Sequence, residues 1–132
     1  MKIVPRLASL ILLPILALPL RAQDVQVGTA LVCDTRQQVE RFVALYDGDF
    51  DAAVSTVNAE VQDPSACAMA SMAYLVSPPL ATERRKDLTF QIVQILVVGV
   101  ITKNGVAPVK PTKLFSVLEV DERQPSDGLR TR

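Results

Sequence analysis

The chain has 132 residues, 49% of them hydrophobic, with 14 Lys and Arg balancing 14 Asp and Glu, two cysteines and no histidine. The missing histidine excludes Ser-His-Asp and Cys-His catalysis and histidine-ligated zinc within this chain, and two cysteines are too few for a four-cysteine zinc site. No basic excess is present either, so nucleic acid is not an expected partner.

Residues 1–22 read as a signal peptide. Lys2 and Arg6 form a basic start, 7–20 carries no charge, and Leu20-Arg21-Ala22 offers a small residue at the cut, which leaves Gln23 as the mature N-terminus. The apolar run is shorter than the roughly 20 residues a bilayer needs, and Pro14 and Pro19 interrupt it, so no stable membrane insertion is expected after cleavage. Lipidation would need a cysteine directly after the cut, whereas the first is Cys33 behind Leu31-Val32. Loss of Lys2, Arg6 and Arg21 leaves 11 basic residues against 14 acidic ones. The remainder divides into an exported α+β domain, 23–122, and a flexible C-terminal tail, 123–132.

Within the domain, 25–33 suits a short or bulged strand interrupted by Gly28. Thr35 followed by Gln38 makes a capping box, and Val39, Phe42, Val43 and Tyr46 fall on one helical stripe that Gly48 stops. A second helix is expected over 50–61 after the Asp47-Gly48-Asp49 turn, ended by Asp63-Pro64. Residues 66–76 read as a mostly buried strand, although their alanines favour a helix. A loop is expected over 77–88. The strongest strand pattern runs over 89–102, and Asn104-Gly105 predicts a type I′ hairpin. Pro108 and Pro111 place the start of the returning strand at an edge or outside the sheet, with a last strand over 114–120. The order implies two short helices packed on a mainly antiparallel sheet of about four strands.

An even cysteine count in an exported chain predicts one bridge, Cys33–Cys67, tying the end of the first strand to the start of the second. A redox pair would more often sit close together as C-x-x-C, so the bridge is read as structural. Asp47, Asp49 and Asp51 alternate like calcium ligands, yet an EF-hand register from Asp47 puts Ala52 and Asn58 where glycine and glutamate are required. They read as turn and cap residues. Phe42 and Tyr46 read as core. The glycines are too dispersed for a phosphate loop, and no cofactor is implied. The cluster Glu83-Arg84-Arg85-Lys86-Asp87 leaves Arg84, Arg85 and Lys86 as candidate partner-binding residues, which Lys103, Lys110 and Lys113 would extend if the hairpin folds beside them.

The run Cys33-Asp34-Thr35-Arg36-Gln37-Gln38-Val39-Glu40-Arg41-Phe42-Val43, with Val57-Asn58-Ala59-Glu60, Cys67, Lys86-Asp87, Phe90-Gln91-Ile92-Val93 and Val120-Asp121-Glu122-Arg123, resembles small exported proteobacterial proteins of unknown function. That resemblance implies a bacterial envelope setting and carries no activity or catalytic residue. The expected function is a non-catalytic periplasmic or secreted module that binds an envelope protein or small ligand. A small enzyme using carboxylates or a Ser-Lys pair drawn from Ser71, Ser77 or Ser116, and a purely structural envelope protein, are the alternatives.

Overall fold

Strands account for most of the described residues, and the computed structural model describes residues 24–120. In chain order the elements are β1 (Gln26–Cys33), α1 (Arg36–Leu45), α2 (Phe50–Glu60), β2 (Cys67–Val76), β3 (Ala81–Arg85), β4 (Leu88–Thr102) and β5 (Gly105–Val120). The expected signal segment and C-terminal tail lie outside the described residues.

Both helices begin where their caps dictate. The Thr35 hydroxyl accepts from the Gln38 amide at 3.2 Å while the Thr35 amide donates to Gln38 Oε1 at 3.1 Å, completing the capping box. Asp49 accepts from the Ala52 amide at 3.0 Å and so caps α2, and Gly48, at φ +115°, makes the turn between the helices.

All strand pairs are antiparallel, and their connections form a ring: β1 with β2, β2 with β4, β4 with β5, and β5 back to β1. The sheet therefore closes on itself as a small barrel. The β1–β5 seam is short, Val32 with Ser116 and Cys33 with Phe115. Inside, Met72, Tyr74, Val93, Ile95 and Val97 pack with Ala30, Val32, Leu114 and Leu118. Outside, Leu31, Cys33, Cys67, Phe90, Ile92 and Val117 meet Val39, Phe42 and Val43 of α1 and Ala53 and Val57 of α2. Alternate residues of the same strands thus serve two cores, which explains why both parities of β4 are apolar. At the corner between helices and sheet, Phe42, Tyr46, Phe50 and Phe90 stack edge-on or tilted with centroids 4.9–6.4 Å apart.

Three local findings differ from the sequence expectations. The sheet has five strands rather than four, because 81–85 within the expected loop pairs with β4 as β3. Four of its five residues are exposed and three are charged, so no apolar alternation announces it. The returning strand is continuous from Gly105 to Val120, with no separate strand starting at 114, while its proline-bearing start pairs with β4 alone and so lies at an edge as expected. It keeps Pro108 opposite Gly99, and it absorbs Pro111 in an irregularity where Val98 faces residues 109–111. The hairpin forms, but its turn is Lys103–Asn104 with the positive φ, +112°, at Gly105. A type I′ turn needs positive φ at both central residues, and neither Lys103 nor Asn104 has it.

Candidate docking face

The helices cover only part of the outer sheet face. They sit over the Cys33 end of β1, the Cys67 end of β2 and the Phe90–Ile92 stretch of β4. Beyond them the same face continues as a row running Val27, Ala73, Gly99, Pro108 across four strands. Beside it lie Met69, opposite Leu31, and the hairpin pair Ile101–Val106. Val27 is 59% exposed, Val106 51%, Met69 50% and Ile101 40%.

Register makes this patch continuous. A side chain at Gly99 would place its Cβ 2.7 Å from Val106 Cγ1 and 3.4 Å from Ala73 Cβ, so Val106 leans over the glycine and reaches the row centred on Ala73. That close approach is why glycine occupies this strand position. Within the patch Thr29 and Ser71 are polar, and their hydroxyls share a 2.7 Å hydrogen bond.

The charges along the strands of this face are mostly positive, with the exposed Asp24 just ahead of β1 as an acid at its Val27 end. Strands β1, β2 and β4 contain no Asp or Glu, and in β5 the only acid is Glu119. Pairing with Phe90 puts Glu119 at the opposite end of β5 from the hairpin turn. Lys103, Lys110 and Lys113 are all exposed on or next to the hairpin. The helical half is acidic by contrast: residues 34–63 hold seven acids and two arginines, Arg36 and Arg41.

The residues singled out from sequence are placed elsewhere and mostly have structural roles. Cys33 and Cys67 are direct cross-strand partners, bonded with Cα atoms 4.1 Å apart, and both are 1% exposed. Arg84, Arg85 and Lys86 lie on β3 and its turn into β4, away from the lysines of the hairpin. Arg85 is committed: its guanidinium donates to the Ala44 carbonyl at 2.7 Å, holding the C-terminal end of α1. Lys86 occupies the turn at φ +51°, a left-handed conformation unusual for lysine. Asp47 accepts from the Asp49 amide at 3.3 Å, in keeping with a turn role. No group of metal-ligating side chains occurs among the described residues.

No lysine among the described residues is buried, so none offers the buried partner that a Ser-Lys site would need. Ser116 is fully buried and its hydroxyl donates to the Leu31 carbonyl, whereas Lys86, Lys103, Lys110 and Lys113 are all exposed. Two open surface hollows sit at the helices. One, about 280 Å³, lies between α1 and α2 beside the Arg41–Glu60 pair. There the guanidinium donates to both carboxylate oxygens, at 2.8 and 2.9 Å; those hydrogen bonds hold Glu60 below the usual carboxylate range, and Arg41 is raised in turn. Burial in the barrel pushes the Tyr74 phenol above its ordinary value.

Two features escaped sequence reasoning. The uncovered face has a signal only in retrospect: a 31-residue span, 88–118, with three lysines and no acid, in a chain with just two short helices to cover a long sheet. Asn58 has none. Its side-chain amide accepts from the Cys67 amide at 2.8 Å and donates to the carbonyls of Cys67 and Pro64 at 2.9 and 3.1 Å. It thereby satisfies the edge of β2 where β4 does not reach.

No described helix is long and apolar enough to cross a membrane. No protein-family model, curated protein or solved structure matches the chain.

Proposed function

We propose that the protein is an exported, non-catalytic binding module that docks through the uncovered outer face of its barrel. The observation that carries this reading is the contiguous patch of Val27, Met69, Ile101 and Val106, left 40–59% exposed on a face whose other end is fully covered by helices. Covering each of these side chains would contribute on the order of 1 kcal/mol, enough in sum for a reversible association. The buried disulfide and the apolar start of the sequence support an extracytoplasmic setting, periplasmic or secreted. The resemblance to small exported proteobacterial proteins points to the same compartment.

This reading moves the recognition surface from Arg84, Arg85 and Lys86 to the hairpin end of the sheet. Retention on washed bacterial envelopes tests it, comparing the native chain with an Ile101→Ser/Val106→Ser variant and an Arg84→Gln/Lys86→Gln variant. The first variant should be released and the second retained. Loss confined to the second would return the site to the β3–β4 turn.

A further inference from the structure

We propose that the occupant of this face is the surface of a bilayer containing anionic phospholipid, with Lys103, Lys110 and Lys113 meeting the headgroups and Val27, Ile101 and Val106 entering shallowly between them. The inference rests on the reading of this face as the docking surface.

Charge distribution favours that occupant. The hairpin side of the face carries three lysines with no acid across 88–118 and outweighs the single Asp24 ahead of β1, while residues 34–63 on the helical half carry seven acids. A plane of negative charge attracts one end of such a molecule and repels the other, so it selects the orientation that brings the apolar patch to the surface. Long lysine stems suit this geometry, because they lie along an apolar patch while the ammonium groups stay at headgroup level.

Side-chain chemistry separates this occupant from the two others. Protein interfaces draw their strongest contacts from Trp, Tyr and Arg, and their centres are depleted in Lys. Here the chain has no Trp, and Phe42, Tyr46, Tyr74 and Phe90 are all buried. The patch is aliphatic and its cations are lysines. A second copy joined by a two-fold axis through the patch would set each lysine cluster against its own counterpart, and like charges oppose that contact.

Vesicle flotation tests the inference, using vesicles of equal parts phosphatidylglycerol and phosphatidylcholine beside pure phosphatidylcholine. The native chain should float with the anionic vesicles only and be released as salt rises. At about fivefold per lysine, Lys103→Gln/Lys110→Gln/Lys113→Gln should lower partitioning on the order of 100-fold. Ile101→Ser/Val106→Ser should lower it about tenfold. The three proteins share their termini, so differences between them isolate the face, and the lysine variant, altered only at exposed positions, keeps the test valid if the apolar variant folds poorly. Equal flotation with both vesicle types, or unchanged flotation of the lysine variant, overturns the proposal. Absent flotation combined with envelope retention that the Ile101/Val106 variant loses assigns the face to a protein, and a dimer that this variant dissociates assigns it to a second copy. Either result overturns the lipid inference while the docking face stands. Envelope retention equal in the Ile101/Val106 variant and the native chain removes the face itself.

Discussion

Asn58 shows how much a single polar side chain holds in this fold. Cys67 has its amide and carbonyl pointing away from β1, and the Asn58 amide takes both at 2.8 and 2.9 Å, acting as one residue of a missing neighbouring strand. Asn58→Ala leaves these groups at the edge of a buried disulfide without partners and should cost about 1–3 kcal/mol in denaturant unfolding. Wild-type stability in that variant would show that water replaces the amide. Glu60 is a smaller, titratable contact. Its carboxyl is held low by the Arg41 hydrogen bonds, so the pair's contribution is present above the ordinary Glu value and is lost as pH falls through the depressed one. The Glu60→Gln variant should therefore melt below the native chain at neutral pH and together with it in acid; a gap independent of pH would mean that Glu60 acts by packing alone.

At the scale of elements, legibility followed apolar patterning. The capping box at Thr35, the stripe Val39, Phe42, Val43 and the long β4 were readable because each combines a strong local signal with burial. β3 was not, since its sequence Ala-Thr-Glu-Arg-Arg is an exposed edge whose charges guard against further pairing. Closure of the barrel was also invisible. It depends on two residue pairs of β1 and β5 more than 80 positions apart, and no periodicity reports such contacts. The structure changes what the Arg84, Arg85 and Lys86 cluster should do: Arg85→Gln alone should lower stability by about 0.5–1 kcal/mol by freeing the α1 terminus, as read by thermal unfolding. An unchanged transition would reduce that contact to a surface coincidence. Cys33→Ser/Cys67→Ser opens a loop of 34 residues and should cost about 3–4 kcal/mol, since the bridge joins the strand ends under both helices.

For the whole molecule, the consequence of barrel closure is an imbalance between sheet and helices. One side chain in two enters the barrel, and the rest need cover, which two short helices provide only at the Cys33 end. What remains is an apolar face edged by lysines, opposite an acidic helical layer. The candidate site was illegible as a motif because it is a property of registry: Val27, Ala73, Gly99, Ile101 and Val106 come onto one face only once β1, β2, β4 and β5 are paired. Residue-resolved amide exchange on the free protein and on the protein bound to envelopes tests the central claim, that this face is where the molecule docks. Binding there predicts slowed exchange along 99–107 at the hairpin end, with rates in α1 and α2 unchanged. Protection confined to the helices, with the hairpin exchanging as in the free protein, would contradict it.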